Sequence, residues 1–310
     1  MGLLRSSNRK TFKNVSLPTA CGITILMPYH FEPAELYRMP THFGPATGPR
    51  RGPDGRRFAS KDTPKTTAIS VSFLSRPEQL SALLPPGFSL GAEPVVTVAA
   101  SYMKEIEWLA GRGYNMLGVT IPAIYHGKAG LIAGSLLLVL WENLTEPIIT
   151  GREELGFSKI FADLPEPVTR NDELHCAANW DGFRFMDLSV GQLQPLSAEQ
   201  ITGNSAAAKS AGTLHYKYMP RTGEPGRADV QYAVLTPLAV PNRVVTAMSR
   251  GQGKLQFHRA RWEDMPTQYM IVNTLHALDV LEYRGATVAH MLGGKDLSDQ
   301  QILLAPHGPT

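Results

Sequence analysis

Short runs of β-favouring residues recur along most of the chain. From Thr66 onward each run is bounded by Gly, Pro or polar turn residues, as in strands of antiparallel sheet. The predicted strands are Ala68 to Leu74, Pro94 to Tyr102, Val119 to Ile124, Gly134 to Trp141, Pro147 to Gly151, His175 to Val190, Gly212 to Tyr218, Ala228 to Leu235 and Gly253 to Phe257. The pattern therefore predicts a β-rich protein.

Helical spacing of apolar residues is confined to short stretches. Arg76 to Leu84 carries three leucines at helical spacing and ends before a Pro-Pro-Gly turn, which predicts one short helix. Met270 to Met291 predicts a helix followed by a strand, and Asn204 to Ala211 is a small-residue loop or short helix. Regular alternation of strands and helices is absent, which argues against a doubly wound nucleotide-binding fold.

The first 63 residues differ from the rest of the chain. They are rich in Pro, Gly and Arg and have no sustained period, yet they contain apolar islands such as Ile23 to Tyr29. Disordered segments rarely keep so many large apolar groups. We therefore predict an irregular extension over residues 1–63 that packs on the domain or on a neighbouring subunit, followed by one domain over residues 64–310.

Composition indicates an ordinary globular protein that does not bind nucleic acid. The 310 residues are 43% hydrophobic, enough to bury a large core, and the formal net charge is +3. The one dense basic stretch lies among Gly and Pro, and no aromatic residues alternate with its arginines as in a nucleic-acid-binding surface. These arginines are Arg50, Arg51, Arg56 and Arg57.

Membrane insertion and secretion are not expected either. The longest apolar run, Leu131 to Trp141, is shorter than the roughly 20 helical residues that span a bilayer. The N-terminus lacks the uninterrupted apolar core of a secretory signal. Cys21 and Cys176 are too few for a disulfide framework. We expect a cytoplasmic protein.

Two common kinds of active site find no support in the sequence. The nine histidines never occur at a metal-ligand spacing on one helix, so no metal site is predicted. Ser158 lacks the second glycine of a nucleophile elbow, which argues against a serine hydrolase.

One lysine lies in an apolar setting. Lys159 is flanked by Leu155, Phe157, Ile160 and Phe161. Burial of a lysine favours the neutral amine, which is a nucleophile that attacks ketones. An exposed lysine beside a turn is the commoner case, so the local sequence alone leaves both interpretations open.

The residues around Lys159 resemble a known motif. Glu-Pro, then Gly-Arg-Glu, then an aromatic residue two positions before the lysine is the arrangement around the Schiff-base lysine of the acetoacetate decarboxylase superfamily. Other segments agree in order, and the similarity covers roughly Lys65 to Leu292. These segments are Leu80 to Gly87, Gly111 to Pro122, Gly253 to Phe257 and Trp262 to Pro266.

This resemblance implies both a fold and a chemistry. The fold would be α+β and β-rich, with a cone-shaped antiparallel β-barrel, a few helices and the lysine directed into the interior. Lys159 would form a Schiff base with a small-molecule keto acid or another carbonyl substrate. Neither a metal nor an organic cofactor is needed, and homo-oligomers are usual in the family.

The chain also departs from the family pattern. The resemblance would place a glutamate at Met116, an arginine at Thr66 with Lys65 beside it, and a further pocket glutamate near Ala99. In acetoacetate decarboxylase a second lysine directly follows the reactive one, and this chain has Ile160 at that position. The acid and base set is therefore depleted, and the substrate is expected to be larger and more apolar than acetoacetate.

Several neighbouring residues are candidates for the missing roles, although each also has a structural or surface-charge interpretation. The candidates for acid, base or charge-stabilising roles are Arg152, Tyr114 and Glu107, with Glu105 and Arg112 beside them. The predicted substrate pocket comprises eight residues, which are Met116, Thr66, Lys65, Ala99, Phe157, Ile160, Trp108 and Tyr102.

Three functions remain open from the sequence. The first is a decarboxylase of an aromatic or polyketide-like β-keto acid in secondary metabolism. The second uses the same lysine imine for aldolase, dehydratase or cyclase chemistry. The third is a non-catalytic binding protein with an inert lysine.

Overall fold

The structure, a computed structural model, describes residues 31–33, 35–46, 48–201 and 210–305. The chain divides into two compact units, Met1–Ala46 and Thr47–Thr310. In the first unit, the described residues contain one 3-10 turn, Thr41–Phe43. The second unit contains the sheet and also residues 48–63, which the sequence assigned to the extension. The predicted island Ile23 to Tyr29 and most of Asn204 to Ala211 lie outside the described residues.

One sheet dominates the second unit. In the described part of the chain it comprises fourteen strands. They are β1 Lys65–Leu74, β2 Phe88–Leu90, β3 Val95–Ile106, β4 Arg112–Gly127, β5 Gly130–Glu142, β6 Lys159–Phe161, β7 Val168–Arg170, β8 Glu173–Trp180, β9 Phe183–Pro195, β10 Gly212–Pro220, β11 Ala228–Pro237, β12 Val244–Phe257, β13 Glu282–Leu292 and β14 Gln301–Leu303.

The paired strands run in the order β14-β11-β10-β5-β4-β3-β1-β13-β12-β9-β8-β7, with β2 on β4 and β6 on β5. Most neighbours are antiparallel, as hairpin connections allow. Two pairs are parallel, β10 with β5 and β6 with β5. The short strand β6 therefore lies beside the end of β5, although the two strands are separated by a helical segment.

Alternation along the strands gives the sheet two different faces. In β1 the core face carries Ile69, Val71 and Phe73, all almost fully buried. The other face carries small polar residues, and the hydroxyl of Ser70 lies 2.7 Å from that of Thr287 on β13. A period of two residues is what a pleated strand with one packed face requires.

Aromatic contacts show that the sheet curves around its core. Trp141 of β5 packs against Phe185 of β9 at 5.1 Å and Phe257 of β12 at 6.5 Å between ring centroids. These strands are far apart in the strand order. The indole Nε1 of Trp141 donates a hydrogen bond of 2.8 Å to Gln268 Oε1, so this buried polar group is satisfied.

Short helical segments accompany the sheet. They are α1 Pro77–Ser81, α2 Thr145–Thr150 and α3 Tyr269–His276, with a π-helical turn at Gly151–Leu155, a 3-10 turn at Glu107–Leu109 and a helical turn at 198–201. Helix α1 and the succession of α3 and β13 confirm the sequence predictions. None of the described helices is long and apolar enough to cross a bilayer.

Two predicted strands were wrong. Pro147 to Gly151 is not a strand, because Thr145–Thr150 forms α2 and the chain continues into the π-helical turn. Pro147 fits there because the amides of a first helical turn have no intrahelical partner. His175 to Val190 is two strands, since Asp181 and Gly182 adopt positive φ angles of 45° and 85° and form a hairpin turn.

The hydrogen bonds of Gln268 yield a prediction about stability. Its side chain bridges Trp141 and the carbonyl oxygen of Phe161 on β6. Gln268→Leu leaves the buried Trp141 indole and the partly buried Phe161 carbonyl oxygen without this partner, so we expect a loss of about 1–3 kcal/mol in the free energy of unfolding. Urea denaturation measures it. The exposed Gln256→Leu is the control, with a change within about 0.5 kcal/mol. Equal stability of the two variants would contradict this account.

Candidate active site

Lys159 is buried at the start of β6. Only 7% of the residue is exposed, and its backbone pairs with Leu140 in the parallel β5–β6 ladder. The preceding π-helical turn ends at Gly156, whose φ of 78° suits glycine. The amide of Phe157 then donates to the carbonyl oxygen of Gly151 at 2.9 Å. The chain thereby reverses and returns Lys159 to the sheet.

Three groups surround the amine of Lys159. Nζ lies 2.9 Å from Oε1 of Glu142 and donates a 3.0 Å hydrogen bond to the carbonyl oxygen of Pro147. It also lies 5.2 Å from the centroid of the Phe157 ring. Burial alone favours a neutral amine, whereas the carboxylate and the ring face favour an ammonium.

Glu142 is the buried partner of this amine. It is fully buried at the end of β5, and its oxygens accept no hydrogen bond of good geometry within the described residues. Burial raises the pKa of the Glu142 carboxyl above its ordinary value, and the charge of Lys159 opposes that rise. A buried pair of this kind is costly to break, because removal of one partner strands the other charge.

Tyr114 and Met116 lie on the same face as Glu142. Met116 of β4 is directly opposite Glu142 in the β4–β5 ladder, and Tyr114 is two residues earlier on the same strand. Desolvation raises the pKa of the Tyr114 hydroxyl well above its usual range, and the charge of Glu142 adds to that rise. Strands β4, β5 and β6 therefore bring Tyr114, Met116, Glu142 and Lys159 together.

Gly151 closes the site against the lysine side chain. A Cβ at this position would overlap Cδ and Cε of Lys159 and would lie 2.8 Å from Nζ. The first residue of the π-helical turn therefore has to be glycine if the amine is to keep its place. This is a close approach and not a demand for positive φ, because Gly151 has φ of −63°.

Two cationic side chains, one within the π-helical turn and one on β10, donate hydrogen bonds to backbone carbonyl oxygens of the turn and of Lys159. Nη1 of Arg152 donates a 2.8 Å hydrogen bond to the carbonyl oxygen of Lys159. The buried Nζ of Lys217 on β10 donates to the carbonyl oxygens of Glu153 and Glu154. Arg152 thus contacts the backbone of Lys159 and not its amine, and Lys217 satisfies carbonyl groups at the end of the turn.

A buried histidine lies behind Phe157. The ring of His215 is fully buried, and its centroid is 4.0 Å from that of Phe157. Its Nε2 is 2.9 Å from Oγ1 of Thr236. Burial lowers the pKa of His215 to about 3, and the positive charge of Lys159 contributes to the same direction. The imidazole is therefore neutral across the physiological pH range.

The described residues contain no cluster of three or more His, Cys, Asp or Glu side chains that could hold a metal ion. The polar groups that converge here are one amine, one carboxyl and one phenol. Such a set suits nucleophilic attack and proton transfer by side chains.

Comparison with known proteins places the chain in a family. The family model for acetoacetate decarboxylase matches residues 38–292. The chain belongs to the acetoacetate decarboxylase family. A comparison with curated protein sequences found no match. Family membership identifies the chain as an acetoacetate decarboxylase-like protein and indicates an enzyme.

Solved structures with the same fold support this assignment. Acetoacetate decarboxylase from Legionella pneumophila superimposes with a TM-score of 0.57 and 19% identity, over 81% of this chain and 92% of that chain. An acetoacetate decarboxylase-like enzyme from Sphingomonas wittichii RW1 gives 0.56 and 16%, over 79% and 94%. The β-rich α+β fold predicted from the resemblance is confirmed.

A third solved structure with the same fold belongs to a biosynthetic enzyme. The enduracididine biosynthesis enzyme MppR, complexed with the condensation product of pyruvate and imidazole 4-carboxaldehyde, superimposes with a TM-score of 0.54 and 16% identity. The match covers 79% of this chain and 91% of that chain.

Several residues predicted for the acetoacetate decarboxylase-like pocket lie around a different cavity. Lys65, Thr66 and the buried Tyr102 line a cavity of about 310 Å³ between β1, β3 and β13. Lys65 forms an exposed ion pair of 2.7 Å with Glu105. Burial raises the pKa of the Tyr102 hydroxyl, and Cys176 adds to that effect. Lys159 does not line this cavity.

The remaining predicted residues have varied positions. Glu107 and Trp108 lie in the 3-10 turn after β3, where the exposed Glu107 carboxylate accepts a 2.9 Å hydrogen bond from the amide of Ser60. Glu107 is not among the groups that contact Lys159. Ala99 of β3 is opposite Gly118. Phe157 and Ile160 line a cavity of about 300 Å³ beside the π-helical turn.

Sequence reasoning missed Glu142, His215 and Lys217. Glu142 did carry a signal, because an acidic residue directly extends the apolar run of the predicted strand Gly134 to Trp141. A charge that continues a buried strand needs a partner. His215 and Lys217 lie two residues apart on β10 and therefore share one face of the strand. The sequence around them does not indicate that this face is buried.

The neutral state of His215 predicts a pH dependence of stability. Its folded pKa of about 3 is below the unfolded value of 6.5, so its contribution is present above pH 6.5 and is lost as the pH falls toward 3. From pH 6.5 to 5 we expect the wild type to lose up to about 2 kcal/mol relative to His215→Leu.

Urea denaturation at both pH values measures this difference. Thr236→Val is the control, because it removes the hydrogen bond but keeps the imidazole, and it should retain the wild-type pH dependence. Parallel pH curves for the wild type and His215→Leu would rule out this description of the buried ring.

Proposed function

We propose that the protein is a Schiff-base enzyme in which Lys159 attacks the ketone of a β-keto acid and the substrate is decarboxylated. The observation that carries the proposal is the buried amine beside an equally buried carboxyl whose pKa is raised. Family membership supports an enzyme of this class. The resemblance of residues 146–159 to the Schiff-base motif supports Lys159 as its nucleophile.

Glu142 supplies what the amine needs in order to react. An ammonium has no lone pair, so a proton must leave Nζ before attack. The carboxyl of Glu142, 2.9 Å away and with a raised pKa, is suited to accept that proton and to return it later. It would serve in place of the glutamate that the resemblance led us to expect at Met116, from the strand directly opposite.

The reaction then balances with these groups alone. The neutral amine adds to the ketone carbon, and loss of water from the carbinolamine gives a protonated imine. The bond between the carboxylate and the α-carbon breaks, carbon dioxide leaves, and its bonding electrons form an enamine. Protonation of the α-carbon and hydrolysis by water release the ketone and restore Lys159.

The surrounding residues have supporting roles in this proposal. Tyr114 keeps its hydroxyl proton and can donate a hydrogen bond to the carbinolamine oxygen. Arg152 positions the strand through the Lys159 carbonyl oxygen and does not touch the reacting amine. Glu107 has no part in the proposed reaction, since its carboxylate is exposed and bonded to Ser60.

The substrate is proposed to be larger and more apolar than acetoacetate. Met116 and Leu140 carry apolar side chains on the face of the sheet that also carries Glu142 and Lys159. A thioether adapts its shape to a neighbouring group and does not exchange protons. An aromatic or polyketide-like keto acid suits such a wall. That no cofactor is needed, that the protein forms a homo-oligomer and that it is cytoplasmic remain predictions.

A second candidate function uses the same imine for carbon-carbon bond formation, dehydration or cyclisation. The relative in complex with a condensation product of pyruvate favours it. An enamine attacks an aldehyde as readily as it accepts a proton. Product analysis separates the two reactions, because only decarboxylation releases carbon dioxide.

Borohydride trapping tests the Schiff base itself. We expect reduction with phenylacetoacetate or another aromatic β-keto acid to add the substrate-derived mass to the peptide that contains Lys159. Lys159→Ala should lose both adduct and turnover, because it lacks the nucleophile. The exposed Lys254→Ala is the control and should retain both. An unmodified Lys159 peptide with every keto acid would favour the third alternative, a non-catalytic binding protein.

Glu142→Gln separates proton transfer from attack. The amide cannot return a proton, but removal of the carboxylate leaves the amine free to attack. We expect the borohydride adduct to persist and turnover to fall roughly 10²-fold, the smaller effect typical of general acid–base loss. Thermal melting checks the fold, and the exposed Glu93→Gln is the control. Wild-type turnover in Glu142→Gln would remove Glu142 from the mechanism.

A further inference from the structure

The cavity beside the π-helical turn, which Phe157 and Ile160 line and which we call the Phe157 cavity, has a distinct chemical character. Its volume is about 300 Å³, at the lower end of the range for small-molecule sites. Apolar and aromatic side chains form most of its wall. They include Phe157, Ile160, Tyr216, Met219 and Ile271.

Two cations are the charged side chains of this wall. Arg152 and Lys217 both line the cavity, and none of the described acidic side chains lies within ion-pair distance of either. The cavity beside β1 differs, because its Lys65 and Lys104 pair with Glu105 and Glu166. Positive charge at the wall of the Phe157 cavity is therefore uncompensated by protein carboxylates in the part of the chain that the structure describes.

Both cations keep donors for a ligand. A guanidinium has five N–H groups, and the described bond of Arg152 to the Lys159 carbonyl uses one of them. An ammonium has three, and Lys217 directs its Nζ to the carbonyl oxygens of Glu153 and Glu154. A carboxylate could take the remaining hydrogens, and a guanidinium can bind it with two parallel hydrogen bonds.

The cavity is separate from the amine of Lys159. Successive residues of a strand point to opposite faces, so Ile160 lines the cavity while Lys159 points away from it. Phe157 contributes to both places, since it lines the cavity and the centroid of its ring lies 5.2 Å from Nζ. A ligand here would contact the support of Lys159 without reaching its nitrogen.

We propose that this cavity is a second binding site, which takes a small amphipathic carboxylate: an aromatic or branched apolar body against Phe157, Ile160 and Tyr216, and an anionic head on Arg152 and Lys217. The apolar wall supplies affinity through burial, and the uncompensated cations select the anion. The proposal does not depend on Schiff-base chemistry at Lys159.

Isothermal titration calorimetry of the full chain with 3-phenylpropionate tests the site. We expect 3-phenylpropionate to bind and the neutral 3-phenylpropionamide to bind at least tenfold more weakly. Lys217→Met should weaken binding of the carboxylate about tenfold, whereas the exposed Lys254→Met should leave it unchanged. Lys159→Ala should also bind normally, which separates this site from the proposed reaction.

Lys217→Met could also lose binding because the π-helical turn loses its hydrogen bonds, so a second variant is needed. Ile160→Trp fills the cavity without removal of a charge, and it should abolish binding while thermal melting shows a folded protein. The proposal is overturned if 3-phenylpropionate does not bind or if the amide binds equally well. It is also overturned if binding survives Ile160→Trp or is lost in Lys159→Ala.

Discussion

The amine of Lys159 and the carboxyl of Glu142 share a buried site, and much of the local architecture follows from that constraint. Each charge alone would be costly to bury, and attraction offsets the cost only at close range. Glu142 and Lys159 meet at 2.9 Å because β6 pairs in parallel with the end of β5. The pair thus depends on a short strand that the chain reaches only through α2 and the π-helical turn.

The turn meets opposite demands on its two sides. On the side that faces the amine there is no room for a side chain, and Gly151 meets this steric requirement because it has none. Away from the amine its carbonyl groups need donors, and Lys217 supplies them while Arg152 holds the Lys159 carbonyl. The same two cations face the Phe157 cavity. An occupant there would therefore act on the residues that fix the position of the amine.

Local sequence predicted most of the long strands and singled out Lys159, but it did not predict the contacts around the lysine side chain. The motif before Lys159 is continuous in sequence, so it could be recognised directly. Glu142 lies seventeen residues earlier, and its proximity depends on the β5–β6 pairing and on its place opposite Met116. Such registers are set by long-range pairing, which one sequence does not display.

The wrong strand at Pro147 to Gly151 has a related cause. Its isoleucines and threonine have β propensity, yet propensity is a weak guide where the tertiary structure needs a reversal. The helix and π-helical turn there bring the Pro147 carbonyl oxygen to the amine and return the chain to the sheet. The predicted catalytic residue Glu107 and the predicted pocket residue Lys65 do not contact Lys159, because a resemblance of short segments does not fix the side of the sheet on which a side chain lies.

The most direct test of this account is the titration of the Glu142 carboxyl, followed by carbon-13 NMR of the labelled side chain. The account predicts a pKa above the ordinary 4.5, because burial outweighs the attraction of Lys159. In Lys159→Met the pKa should rise further, since the opposing positive charge is gone. A Glu142 carboxyl that titrates at or below 4.5, or whose pKa falls in Lys159→Met, would contradict the account.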